Sequence, residues 1–429
     1  MNRVMPGLVA AALLLASTLA FPQSAAAIDK NGLRSSVVAL SDPSMEGRAP
    51  GSQGLEKAAA MIAARFERAG LVPVGDGGGW FQSFTPAKPE IADAVLLPQG
   101  KEWGKIALKN VVGILRGAGD GSVVIGAHYD HLGLDGAGNV YPGADDNASG
   151  VAVLCAVADE LAKEPLRKRT VVFVAFSGEE AGLLGSRWYA ENPILPIESV
   201  IAMINLDTVG RIEKKRLLVL SASSAAEFPK MIRGVGLGFD LDLTIPDKGP
   251  FGSDQISFIA KGVPALHLFS GPNADYHRTS DTPEKMNYEG LVEIAGFTAE
   301  LVRYLADRDK PMTFVSPGVP AGSGGMDAGS GASAAPHQMT ARRVSLGTIP
   351  DMAYQGDGVL VSGVLPGSPA EQAGIKAGDR IVAIDGEKIG GLEDFSGILK
   401  SRQPGDKVLV KLLRDGKEAT VEAALVERK

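Results

Sequence analysis

Two textures of apolar and polar positions follow one another along this chain, and the change falls near residue 341. In the longer first part, Leu55, Ala59, Ile62, Phe66 and Ala69 recur at helical spacing, and Gly70 supplies a stop. Gly32–Leu40 reads as a shorter helix. Near-continuous runs of Val, Ile, Ala and Leu at 123–127, 170–176, 199–206 and 263–269 predict buried strands, with further strands at 80–84 and 105–115. Helical segments at 151–163 and 180–192 separate most of these runs, and a long helix over 288–308 closes the series. Strands that are apolar at every position are buried on both faces. The pattern therefore predicts an α/β fold, a mostly parallel twisted sheet covered by helices on both faces.

From 341 onward the strands are short and broken by glycine turns. Strands are expected at 358–364, 380–384, 407–414 and 418–425, and hairpin turns at Asp385-Gly386 and Asp415-Gly416. With helices at 368–374 and 392–399, this makes a small β-barrel-like module over 341–429. The stretch 309–340, rich in Gly, Pro, Ser and Ala and without period, reads as a flexible linker. At the amino terminus, Arg3, the apolar run 8–19 and Ala25-Ala26-Ala27 form a signal-peptide pattern over 1–27. The main domain then covers 28–308, and the protein is expected to be exported, to the periplasm or outside the cell. That apolar run is too short to span a bilayer, so no membrane span is expected. A net charge of −7 with scattered Lys and Arg excludes a nucleic-acid groove. Cys155 is the only cysteine, which rules out an intrachain disulfide.

Chemistry in open sheets of this kind gathers beyond the carboxyl ends of the strands. There the chain places His128-Tyr-Asp130-His131, then Gly143-Ala-Asp145-Asp146-Asn147, Glu179-Glu180 after Ser177-Gly178, Asp207, and His277 a short loop after the last strand. Zinc takes neutral imidazole and carboxylate oxygen. A metal-bound histidine commonly passes its other N–H to a carboxylate, and Asp130 is two residues from His128 on the same strand face. The expected ligand set is His128, Asp145, Glu180, Asp207 and His277. With Asp145 bridging, each of two Zn2+ ions receives three protein contacts and keeps room for a shared water. That is the open coordination of a catalytic zinc, able to bring the water's pKa to about 7. Glu179, beside Glu180 on the strand-to-helix turn, is the expected general base. His131 reads as loop or pocket lining and His267 as a core histidine.

Taken in order, these motifs, together with Met45-Glu46-Gly47-Arg48, resemble the co-catalytic di-zinc aminopeptidases of metallopeptidase family M28 over nearly all of 30–308. The resemblance implies an exported zinc-dependent aminopeptidase acting on peptide substrates. One zinc would lie on His128 and Asp207 and the other on Glu180 and His277, with Asp145 bridging. Asp130 would orient His128, Glu179 would be the base, and a cis peptide would join Asp145 and Asp146. The chain departs from the family in two places. Ser253-Asp254-Gln255 stands where many relatives read Ser-Asp-His, and Lys248–Phe251 offers no tyrosine for the oxyanion, which leaves Tyr276 as a candidate. The tail is similar to a PDZ domain, with Ser345, Leu346 and Gly347 at the carboxylate-binding loop and Gly367–Ile381 matching the helix–strand signature. Such a module captures a C-terminal peptide or a protein partner. The rival readings are a carboxypeptidase or glutaminyl cyclase of the same family, and a PDZ-dominated binding protein with an inert metal site.

Overall fold

The computed structural model describes residues 28–87, 97–163, 168–246, 252–316, 344–351, 354 and 356–427. The expected signal peptide, 1–27, lies outside the described residues. Helices α1 (Lys30–Leu40), α2 (Gln53–Arg68) and α3 (Gly150–Leu161) share one apolar cluster of the first unit. Ser52 caps α2 by accepting from the Leu55 N–H at 3.0 Å, and Leu55, Ile62 and Phe66 form its buried face. The remaining helices are α4 (Leu184–Glu191), α5 (Phe228–Gly236), α6 (Gln255–Ile259) and α7 (Tyr288–Asp307).

Among the described residues the sheet holds nine strands: β1 (Val72–Pro73), β2 (Phe81–Phe84), β3 (Leu108–Leu115), β4 (Ser122–His128), β5 (Thr170–Phe176), β6 (Val200–Leu206), β7 (Arg216–Leu220), β8 (Asp242–Thr244) and β9 (Ala265–Phe269). Their order is β1-β3-β5-β4-β6-β9-β7-β8, with β2 also on β3. The four central strands, β5-β4-β6-β9, are parallel, as their apolar runs predict. Both flanks turn antiparallel: β3 against β5, and β7 against β9. The sheet is thus mixed, with a parallel heart. Strands β7 and β8 and helices α5 and α6 go beyond the elements read from the sequence.

Helix α4 starts at Leu184, four residues later than the apolar spacing suggests. Gly182 (φ 108°) and Leu183 (φ 61°) are left-handed, so the chain leaves β5 as a turn. Glu179 and Glu180 therefore sit on that turn. The segment expected as a tether from residue 309 also begins packed: Phe314 bridges Ala225, and the Thr313 hydroxyl donates to Glu227 at 2.9 Å. Residues 317–343, the rest of the expected linker and the first three residues of the expected tail module, lie outside the described residues.

The second unit has its own apolar cluster, which includes Val361, Ile381, Phe395, Leu399 and Val410. Its strands are β10 (Val344–Ser345), β11 (Thr348–Pro350), β12 (Val359–Val364), β13 (Arg380–Ile384), β14 (Glu387–Lys388), β15 (Lys407–Arg414), β16 (Lys417–Ala424) and β17 (Val426–Glu427). Helices α8 (Pro369–Gln372) and α9 (Leu392–Lys400) complete it. Buried Asp379 accepts from Arg414 through both carboxylate oxygens at 2.6 Å, which locks the turn before β13. No helix among the described residues is long and apolar enough to cross a membrane.

Phe173, on β5, is fully buried and meets Phe66 of α2 edge-on at 6.1 Å between ring centres. Phe173→Ala is expected to destabilise the unit by about 3–5 kcal/mol in denaturant unfolding. A loss below about 1 kcal/mol would contradict the packing of α2 on this sheet.

Candidate metal centre

Because β4, β5, β6 and β9 are parallel, their carboxyl ends open on one side of the sheet and bring His128, the Glu179-Glu180 turn, Asp207 and the His277 loop together. His128 closes β4 and is buried. Its Nε2 lies 3.3 Å from both Asp146 Oδ1 and Asp207 Oδ1. Across the cluster, His277 Nε2 stands 3.0 Å from Asp146 Oδ2 and 3.2 Å from Glu180 Oε2. The other Glu180 oxygen meets His131 Nδ1 at 2.8 Å. Asp146 therefore stands between the two halves of the cluster.

This corrects the expectation for Asp145. Its Oδ1 accepts from the Gly210 N–H at 2.6 Å and from Ser149 Oγ at 3.3 Å, and its Oδ2 accepts from Asn273 Nδ2 at 2.9 Å. With both oxygens held by loops outside the cluster, Asp145 anchors the turn, and its neighbour faces the histidines. The cis peptide bond likewise lies one residue later than expected, between Asp146 and Asn147. Of the other expected site residues, His128 and Asp207 lie 3.3 Å apart, and His277 and Glu180 3.2 Å apart, in the one cluster. His131, set aside as lining, stands in the cluster too.

Asp130 is fully buried and serves two segments. Its Oδ1 lies 3.8 Å from His128 Nδ1, while the Glu179 and Glu180 N–H groups donate to its two oxygens at 3.1 and 3.4 Å. It thus fixes the turn carrying Glu179 relative to the end of β4. Asp281, also buried, accepts from the Asp145 and Asp146 N–H groups at 3.0 and 3.1 Å. Asn147 ties the same turn to the end of β6, donating to Leu206 O at 2.9 Å and accepting from the Thr208 N–H at 3.2 Å. Gln255, the residue in place of the relatives' histidine, is buried and accepts from the Ser253 N–H at 3.2 Å. Tyr276 stacks on His277 at 3.9 Å between ring centres. Residues 248–251 lie outside the described residues.

Charge in this pocket is crowded. Burial opposes a charged His128, yet Asp207, Glu179 and Asp146 prevail and hold it well above the ordinary histidine value. His277 is lifted to about 10 against burial by Glu180 and Asp146. Burial would raise Glu180, but His277 and His131 hold it well below the carboxylate range. Glu179 is raised first by burial and then by Glu180, Asp207 and Asp254, and lies well above that range. The carboxylates thus draw whatever positive charge is at hand. Asp146 Oδ2 and His277 Nε2, 3.0 Å apart, are buried without hydrogen-bond geometry, and His131 Nε2 is buried without a hydrogen-bond partner among the described residues. Such orphaned atoms at these separations, on imidazoles and carboxylates only, fit a pair of divalent cations.

In the tail, Ser345, Leu346 and Gly347 join β10 to β11. The Leu346 carbonyl accepts from the Ala370 N–H at 2.8 Å, and Gly347 is left-handed (φ 79°), with its N–H donated to Ser345 Oγ at 3.1 Å.

Comparison with known proteins shows what these features resemble. Residues 110–302 match the sequence model of peptidase family M28, and residues 344–425 match that of the PDZ domain. A probable leucine aminopeptidase of Trichophyton verrucosum is 31% identical over 211 residues, covering 45% of this chain and 57% of that protein. One from Arthroderma otae is 29% identical over 227 residues, covering 47% and 61%. The chain thus spans little more than half the length of these curated relatives. Among solved structures, an Aneurinibacillus aminopeptidase superposes with a TM-score of 0.52 at 19% identity, covering 70% of this chain and 98% of that one. The glutaminyl cyclase of Porphyromonas gingivalis gives 0.51 at 18% identity, covering 65% and 99%. At such identities the superpositions establish the fold alone. The chain is therefore similar to peptidase family M28 over 110–302 and to the PDZ domain over 344–425.

Proposed function

We propose that this protein is an exported metal-dependent aminopeptidase that removes N-terminal residues from peptides. The observation that carries the reading is the position of Asp146, whose two oxygens face His128 on one side and His277 on the other. His128, Asp146 and Asp207 would hold one zinc ion. Asp146, Glu180 and His277 would hold the second, with His131 on the free oxygen of Glu180. When bound, such a pair supplies Lewis acidity at the scissile carbonyl and acidifies water to a pKa of about 7. The chain's own residues do the rest. Glu179, half-buried at the turn after β5, takes a proton from the attacking water and returns it to the leaving amine. Asp130 keeps that turn in place through the Glu179 and Glu180 amides. Buried Asp281 holds the Asp145-Asp146 turn in the same manner.

The relatives named as leucine aminopeptidases support an apolar N-terminal residue in the substrate. The pattern of Arg3, the apolar run 8–19 and Ala25–Ala27 supports export, to the periplasm or outside the cell. The PDZ domain would hold a C-terminal peptide at the Ser345–Gly347 loop, from a substrate or a protein partner. A rival reading, glutaminyl cyclase, shares this fold, and the reaction catalysed separates the two. Free amino acid released from aminoacyl peptides, with none from N-blocked ones and about two metal ions per chain, is the expected result. Ammonia release from N-terminal glutaminyl peptides by protein carrying one metal ion would overturn it.

Three substitutions check the roles. Glu179→Gln is expected to keep its metal and lose ~10²–10⁴-fold in kcat. Asp146→Asn is expected to lose metal at both positions, measured by elemental analysis of the purified protein. Asp145→Asn, which keeps an oxygen for the Gly210 N–H, should retain most of its metal; the opposite ranking of the two aspartates would reverse their assignment.

A further inference from the structure

Arg48 is the largest fully buried side chain in the molecule's described residues, and nothing in the proposed chemistry uses it. Its guanidinium makes no hydrogen bond to a carboxylate. Nε donates to Tyr129 O at 2.8 Å, Nη1 to Leu40 O at 2.5 Å and Pro142 O at 2.8 Å, and Nη2 to Gly143 O at 2.9 Å. The four carbonyls belong to three segments: the end of α1, the end of β4 between His128 and Asp130, and the turn that leads into Asp146. A planar fork with five donors can span such a set, whereas an ammonium cannot.

The backbone around Arg48 makes the same connection. The His131 N–H donates to Arg48 O at 3.2 Å and the Gly133 N–H to Gly47 O at 3.1 Å. Glu46, Gly47 and Arg48 are all left-handed, with φ of 52°, 56° and 51°, a costly run for residues with side chains. There is no slack between the segments. A Cβ on Gly47 would stand 2.2 Å from Gly133 O, and one on Gly143 would stand 2.7 Å from Arg48 Nη2 and 2.5 Å from His131 Cδ2. Burial lowers the guanidinium to about 10, and Asp146, Asp130, Asp281 and Glu180 supply the negative surroundings that oppose this and keep it charged.

We propose that Arg48 is a positioning residue for the cation cluster, its guanidinium fixing the spacing between the segment of His128 and His131 and the turn of Asp146 before any cation binds. The inference rests on the reading of this cluster as a cation site. It assigns the tight Glu46–Arg48 bend a role at a centre whose ligands lie eighty or more residues away. The bend sets ligand geometry without touching a cation.

The test uses full-length protein stripped by chelation and titrated with Zn2+ by calorimetry and with Co2+ by visible absorption. The expected result is that Arg48→Lys, which keeps the charge and loses the fork, weakens cation binding ~10–100-fold and changes the Co2+ spectrum. Phe173→Ala serves as the control for destabilisation alone and is expected to leave both readouts unchanged. Wild-type protein that takes up no cation would overturn the cation reading itself. If wild type binds and Arg48→Lys binds as tightly with the same spectrum, only the role of Arg48 is overturned. Amide exchange in metal-free wild type tests the same point without a variant. The His131 and Gly133 amides should stay protected without metal, and free exchange there would overturn the proposal even if Arg48→Lys does not fold.

Discussion

Buried carboxylates packed at one end of a sheet cannot all stay ionised unless positive charge is set among them. Here Asp130, Asp145, Asp146, Glu180 and Asp281 are all buried within one pocket. They are stabilised in two ways. Asp130, Asp145 and Asp281 accept backbone N–H groups, which hold an anion without neutralising it. Asp146 and Glu180 face imidazoles. The division separates the acids that hold the scaffold from those left open to a cation.

The sheet makes this division possible. Four parallel strands end on the same side, so residues from positions 128 to 277 arrive in one place without long excursions of the chain. The connecting turns are then held by side chains that touch no cation: Asp130 beneath the Glu179-Glu180 turn, Asn147 between the α3 turn and the end of β6, and Asp281 beneath the Asp145-Asp146 turn. The His277 loop is secured separately. Asp275 within it accepts from Arg211 at 2.9 Å and from Lys285 and Ser280 at 2.6 Å. Such outer partners fix both the direction and the tautomer of the groups in front of them.

Local pattern and chemistry were enough for the larger part of this molecule. Val123–Ala127 and Thr170–Phe176 could only be strands buried on both faces, and strands of that kind sit in the parallel centre of a sheet. His128, Glu180, Asp207 and His277 were legible because each follows such a strand, where side chains are aimed into the opening. The antiparallel flanks were less so. Arg216–Leu220 and Asp242–Thr244 are short, and their place depends on hydrogen bonds to β9 and to one another, from strands remote in sequence.

The order of the motifs, the residue types and the switch to short strands after 341 were therefore determined by the sequence itself. Tertiary structure alone decided between Asp145 and Asp146. The two are chemically equal neighbours, and the choice was made by Gly210 and Asn273, which capture one carboxylate and leave the other facing the histidines. His131 entered the cluster for the same reason: its direction depends on the bend at Glu46–Arg48, some eighty residues earlier. No local pattern carries that information, because the orientation of a side chain on a turn is set by whatever the rest of the chain packs against it.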